Sequence, residues 1–278
     1  MAAPWTDSMT RLPAGPLRGH IAAYMGYRAV GFSPGLHRGL PSRHMTFVVS
    51  IGSPLDVRVQ TNPALGPDRY RCVLGGLQAA AATIAHNGGK EGVAISLSPL
   101  GSRAVLGVPA AALWDRSFES VDLIGRTGDE LWERLQYASS WLERFDVCDR
   151  VLLRHLSEGG VARELARCWR AIVASGGRLP VEQLAADTGY SRQHLTKLFR
   201  REFGLGPKLA SRIVRFERVQ RALLGAHPSA TLAEVAAGCG YADQAHLSRE
   251  FTALTGCPPS AWLAEELPIL QDTPDQPG

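Results

Sequence analysis

Leu184-Ala-Ala-Asp-Thr-Gly-Tyr-Ser-Arg-Gln-His-Leu-Thr-Lys-Leu-Phe199, followed by Gly204 and Pro207, occurs a second time in the same chain. The second copy is Val235-Ala-Ala-Gly-Cys-Gly-Tyr-Ala-Asp-Gln-Ala-His-Leu-Ser-Arg-Glu-Phe251, followed by Gly256 and Pro259. Its turn is one residue longer. Each copy predicts a helix-turn-helix. In the first, Pro180 suits an opening helical turn, and Leu184 and Ala185 supply the buried side. Gly189 falls where the chain must turn sharply, often with positive φ. Ser191 is placed to cap the next helix by accepting a free backbone N–H. Leu195, Leu198 and Phe199 then face inward, and Gln193, Thr196, Lys197 and Arg200 form an outward stripe.

The second copy repeats this logic. Thr231 and Glu234 form a capping box, and Asp243 caps the second recognition helix. Leu247, Phe251 and Leu254 go inward, leaving Gln244, Ala245, Ser248 and Arg249 outside. Arginine can pair with guanine O6 and N7, glutamine with adenine N6 and N7, and an alanine methyl can touch thymine. Between the copies, Lys208 to Leu224 contains no glycine or proline, and Leu209, Ile213, Phe216, Val219 and Leu223 make an apolar stripe. The pattern predicts one helix of about 25 Å. Such a spacer can hold two recognition helices about 34 Å apart, one turn of DNA.

Charge is concentrated in the same region. The 278-residue chain has a net charge of only +4. From Tyr190 to Arg221, nine lysines and arginines face only Glu202 and Glu217, a local balance of +7. A basic face of that kind suits phosphate, and Arg192, Arg200, Arg212, Arg215 and His246 are the expected phosphate contacts. Five cysteines, none spaced Cys-x-x-Cys, argue against a zinc site or a disulfide framework. Without a signal peptide or a membrane-length apolar run, the expectation is a cytoplasmic protein with no membrane partner.

The rest of the chain reads differently. Residues 1–108 are rich in Gly, Pro and β-branched residues. Strands are expected at Thr46–Ile51, Leu55–Gln60 and Val93–Leu97, separated by turns such as Gly52-Ser-Pro54 and Asn87-Gly-Gly89. From Pro109 the pattern turns helical: a short helix at Ala110–Trp114, one at Asp129–Arg144, and two more at Asp146–Leu156 and Val161–Ala174. These helices offer either a dimer seam or a packed hairpin.

On the paired motifs, the linking helix and the closing Leu254-Thr-Gly256-Cys-Pro-Pro259 with Trp262, the chain resembles the AraC/XylS family of bacterial transcription regulators over residues 180–263. That family's second unit has a Gly-aromatic, Asp-Gln, Phe/Leu-Ser-Arg-x-Phe signature. Here it stands as Gly240-Tyr241, Asp243-Gln244, Leu247-Ser248-Arg249 and Phe251. The resemblance implies base contacts by Gln193, Thr196 and Lys197 in the first unit and by Gln244, Ala245, Ser248 and Arg249 in the second. It also implies double-stranded promoter DNA as partner, RNA polymerase for an activator, and a homodimer as an option. Glu250 departs from the pattern: an acid beside Arg249 is placed to tune its contact. The N-terminal half is similar to the family's cupin-like sensory halves through Pro41–Ser53, Gly75-Gly-Leu77 and Leu97–Gly107.

The expected fold is therefore α+β. A cupin-like β-barrel or sandwich spans 1–108 and a helical connector 109–175. An all-α double helix-turn-helix spans 176–265, and a disordered tail 266–278. The expected function is sequence-specific transcription regulation under a small-molecule effector of unknown identity bound by the N-terminal domain. Two alternatives stand: a ligand-independent regulator controlled by abundance or a protein partner, and a metal-dependent cupin enzyme fused to a DNA-binding domain. Against the latter, His37, His44, His86 and Glu91 lack clustered ligand spacing. No Ser-His-Asp motif or phosphate loop occurs. No enzyme activity, cofactor or metal is expected.

Overall fold

The computed structural model describes residues 3–225 and 230–265; the tail expected to be disordered lies outside the described residues. Ten strands open the chain: β1 (Trp5–Arg11), β2 (Ile21–Val30), β3 (Gly35–Gly39), β4 (Thr46–Ser50), β5 (Leu55–Val59), β6 (Asp68–Tyr70), β7 (Cys72–Gly75), β8 (Ala82–His86), β9 (Lys90–Leu97) and β10 (Ser117–Glu119). They form two antiparallel sheets, ordered β1-β2-β9-β4-β7-β10 and β3-β8-β5-β6. The N-terminal domain is thus a sandwich rather than a closed barrel. Along β4 the pleat sends Phe47 and Val49 to one face of the larger sheet, where they are buried in the main core. Thr46 and Val48 go to the other face, toward the smaller sheet.

Eleven α-helices follow or interrupt the strands among the described residues: α1 (Ser102–Leu106), α2 (Ser120–Ile124), α3 (Arg126–Tyr137), α4 (Trp141–His155), α5 (Arg163–Ala174), α6 (Val181–Thr188), α7 (Arg192–Phe203), α8 (Pro207–Leu224), α9 (Leu232–Cys239), α10 (Gln244–Thr255) and α11 (Pro259–Glu265). Two expectations need correction. The helix expected over Asp129–Arg144 is broken: α3 ends at Tyr137 and α4 begins at Trp141. Ser140 caps α4 by accepting the Glu143 N–H, while the Ser139 N–H and hydroxyl donate to the Glu143 carboxylate. These local bonds compete with helix continuation, and Leu142 is left 55% exposed. The stretch from Pro109 is also not wholly helical, since β10 pairs with β7 and closes one edge of the larger sheet. The sequence reading also missed β2, the longest strand. It is buried on both faces, so its apolar residues do not alternate.

The main core lies on the helical side of the larger sheet and does not stop there. Tyr24, Phe47 and Leu74 belong to the same cluster as Phe145 of α4, Trp169 of α5, Leu184 of α6 and Phe199 of α7. A separate cluster gathers Phe216 and Val219 of α8, Val235 of α9, Leu247 and Phe251 of α10, and Trp262. One helix-turn-helix is therefore continuous with the N-terminal core, and the other has a core of its own.

Candidate nucleic-acid interface

Both units take the expected local geometry. Gly189 and Gly240 are left-handed, with φ of 72° and 81°, and close α6 and α9. Only glycine adopts that conformation without steric cost. Ser191 accepts the His194 N–H at 3.2 Å, and Asp243 accepts the His246 N–H at 2.6 Å. Thr231 and Glu234 complete a capping box. The rings of Tyr190 and His194 meet edge-on at 5.0 Å, and those of Tyr241 and His246 at 5.1 Å. His194 and His246 are thereby packed in the same way in the two units.

The outward faces of α7 and α10 are those the helical period requires. Leu195, Phe199, Leu247 and Phe251 are buried. Gln193, Lys197, Gln244, Ala245 and Arg249 are exposed, while Thr196 and Ser248 are half-buried. The Thr196 hydroxyl donates to the Arg192 carbonyl at 2.8 Å, so it bonds within its own helix. Arg192 is exposed and paired with Glu182.

A groove of about 1030 Å³ runs between the units. Arg192, Gln193, Thr196, Lys197 and Arg200 of α7, Arg212 and Arg215 of α8, and His246 of α10 all border it. Gln244, Ala245, Ser248 and Arg249 lie outside it on α10. The structure thus gathers the first unit's candidate base contacts with every candidate phosphate contact.

One acid stands among these cations. The Glu250 carboxylate accepts from Arg212 Nε at 2.8 Å and Arg215 Nη2 at 3.4 Å, and His246 Nε2 stands 4.0 Å away. The Arg215 guanidinium also lies over the Tyr241 ring, 5.0 Å from its centre. Burial pushes the Tyr241 phenol up to about 12, with the Glu250 charge adding to the shift. Arg212 and Arg215 are therefore not bare surface cations. Sequence reading flagged Glu250 only as a neighbour of Arg249; its partners are 38 and 35 residues away.

Polar side-chain contacts tie the N-terminal domain to this region. Arg103 of α1 forms a bidentate pair with Glu202 of α7, at 2.8 and 2.9 Å. Glu217 of α8 accepts the Ser42 hydroxyl and the Arg43 N–H, both at 2.7 Å, with Arg43 Nη1 at 3.5 Å. Burial pushes the Glu217 carboxyl up, against the opposing pull of Arg43 and Ser42. Arg38 Nη1 donates to the Thr255 carbonyl at 3.3 Å.

Beside Glu217, a cavity of about 210 Å³ lies between the two sheets. Met25, Val48, Leu55 and Ile84 give it apolar walls, and Glu217 and Gln220 of α8 form part of its boundary. Lys90 borders it, and its ammonium donates to His37 Nδ1 at 2.7 Å. Burial and the Lys90 charge hold His37 well below the usual imidazole range, so it accepts as a neutral ring. A wider cleft of about 780 Å³ shares Tyr27, Leu55 and Lys90 with the cavity. Of the residues weighed as metal ligands, Glu91 is paired with Arg28 and Arg144, each at 2.6 Å. His44 is half-buried, and desolvation drives its imidazole down to about 3.

Residues 184–265 match the family model of a helix-turn-helix domain. ToxT from Vibrio cholerae is similar over 95% of this chain and 99% of its own, with 11% identity and a TM-score of 0.51. ToxT has also been solved bound to (E)-4-(8-methylnaphthalen-1-yl)but-3-enoic acid, and that structure is similar at a TM-score of 0.50, with 12% identity and coverage of 95% and 99%. A probable AraC family transcriptional regulator from Rhodopseudomonas palustris is 28% identical, covering 37% of this chain and 96% of its own, with a TM-score of 0.34. No curated protein sequence matches the chain. Among the described residues no helix is long and apolar enough to cross a membrane.

Proposed function

For a chain whose C-terminal region is an AraC-type, DNA-binding helix-turn-helix domain, as in the regulators of that family, we propose promoter recognition governed by a small molecule held in the N-terminal sandwich. Gln193, Thr196 and Lys197 read one major-groove segment, and Gln244, Ala245, Ser248 and Arg249 read the next. Arg192, Arg200 and His246 hold phosphate, joined by Arg212 and Arg215 once these leave Glu250. The helices α3 to α5 serve as connector and as the surface for any homodimer. RNA polymerase is the further partner if the outcome is activation.

The observation that carries effector control is the wall the cavity shares with α8. A molecule filling the space between the sheets touches Glu217 and Gln220 of the helix that spaces the two reading heads. Small shifts there are passed on because packed elements move as rigid bodies. The lining suits a compact apolar body with one acidic group facing Lys90, the chemistry of the carboxylic acid carried by ToxT.

Selection of random DNA by the full-length protein at physiological salt tests both halves of the reading. Two short blocks one helical turn apart are expected, with affinity or spacing altered by medium-chain fatty acids that also raise the melting temperature. Recovery of a motif that no such acid affects would remove the effector half. Binding without any motif would remove the regulator.

A further inference from the structure

We propose that Glu250 sets the selectivity of DNA binding by withholding Arg212 and Arg215 from phosphate in non-specific complexes. The inference rests on the groove between α7 and α10 being the DNA face.

Non-specific binding draws nearly all its free energy from phosphate contacts and counterion release, whereas specific binding adds contacts to bases. An acid inside the basic groove therefore weakens the two modes unequally. Glu250 is only 14% exposed on its side chain and accepts from two guanidiniums. A loosely held duplex competes poorly for arginines already neutralised at 2.8 and 3.4 Å. In a seated complex the backbone runs along the groove at short range, and competition becomes effective.

The cluster has a second consequence of the same sign. Arg212 and Arg215 lie on α8 and Glu250 on α10, so their bonds fix the second recognition helix on the spacer. Arg249, one residue before Glu250, is then held at a set angle before DNA arrives. Holding a reading residue in advance favours the one sequence that fits it. The first unit has no such device: the residue matching Glu250 by position is Leu198, which packs against the main core.

The test uses the full chain and two duplexes, the selected site and a random sequence, titrated over a range of salt. Glu250→Gln keeps the shape and one acceptor but removes the charge. It should tighten random-duplex binding by about tenfold and steepen the salt slope by about one to two phosphate contacts. Affinity for the selected site should change by less than about threefold, so the specificity ratio falls. In the wild-type background Arg212→Ala should leave the random-duplex slope unchanged, and in the Glu250→Gln background it should lower it by about one.

An unchanged random-duplex slope in Glu250→Gln, or a lowered slope in Arg212→Ala alone, overturns the proposal. Equal weakening on both duplexes, with a lower melting temperature, would leave Glu250 a structural clamp only. If Glu250→Gln does not fold, the wild-type and Arg212→Ala slopes decide alone. Arg249→Ala in the same assay separates the two readings. If it leaves selected-site binding intact, the DNA face itself is wrong. If it abolishes preference while Glu250→Gln has no effect, only the role of Glu250 fails.

Discussion

The two helix-turn-helix units are near-copies in sequence, yet they are embedded differently. The first shares one apolar core with the sandwich and its helices, through Leu184, Leu195, Phe199 and Phe203 against Trp169 and the residues beneath it. The second encloses Phe251 and Trp262 in a separate cluster, and its contacts with the N-terminal domain run through Leu40 and the Arg38 bond to Thr255. One unit is an extension of the sandwich half; the other is carried at the end of α8. Two near-copies thus sit in two settings, one built into the sandwich core and one with a core of its own, and the cavity between the sheets lies against the helix that joins them.

The strongest test of that contrast is a matched pair of substitutions. Gly204 and Gly256 occupy equivalent positions with φ of 83° and 79°. A Cβ on Gly204 would stand 2.5 Å from the Trp114 Cβ, whereas the nearest atom to one on Gly256 is Arg38 Nη1, at 3.7 Å. Both alanine variants carry left-handed strain of about 1 kcal/mol, but Gly204→Ala adds overpacking and should cost about 3 kcal/mol in all. Denaturant unfolding would measure the difference; equal losses would mean the first unit is not wedged against the sandwich.

Next come the reading residues. Arg249→Ala should cost about 1–3 kcal/mol at the selected site and relax preference at one base position. Lys197, its counterpart in the first unit, is a single point charge and should cost about 1 kcal/mol when replaced by alanine. Titration against single-base variants of the site separates base reading from uniform weakening.

A smaller effect is expected at the seam. Arg103→Ala strands the buried Glu202 carboxylate and should destabilise the protein by about 1–2 kcal/mol, moderated because Arg103 is partly exposed. Hydrogen exchange should then accelerate in α7. Arg38→Ala should instead accelerate exchange around Thr255 alone. Loosening of both units by either variant would show that they move as one body.

Acid supplies a graded probe. His44 follows Arg43 in the segment that holds Glu217, and burial keeps it at about 3 against the ordinary 6.5. Between those values the unfolded chain binds a proton the folded chain refuses. Stability is therefore fully present above 6.5 and declines as pH falls through the window. The slope is at most about 1.4 kcal/mol per pH unit for one histidine. His44→Leu should flatten the profile between pH 6 and 5, and exchange at the Glu217 seam should follow it.

Much of the C-terminal domain was legible because its signals are local. The caps at Ser191, Thr231 and Asp243, the glycine turns and the uninterrupted α8 each depend on neighbours within a few residues. The sandwich was less legible. β2 hides its alternation by being buried on both faces, and the break between α3 and α4 turned on the Ser140 hydroxyl taking the Glu143 N–H and the Glu143 carboxylate taking the Ser139 N–H and hydroxyl. The outward stripes of α7 and α10 were readable from helical period, but the capture of Arg212 and Arg215 by Glu250 was not.

The sequence by itself determined that two recognition helices exist, where they begin and end, and which side chains they present, because capping and helical period act over one or two turns. Only the tertiary structure decided that one unit is fused to the sandwich core, that Glu217 borders the cavity between the sheets, and that Glu250 pairs with two arginines. Those facts join residues tens to hundreds of positions apart, as with Arg43 and Glu217 or Arg103 and Glu202. Such pairings depend on how whole elements pack, and no local pattern encodes them.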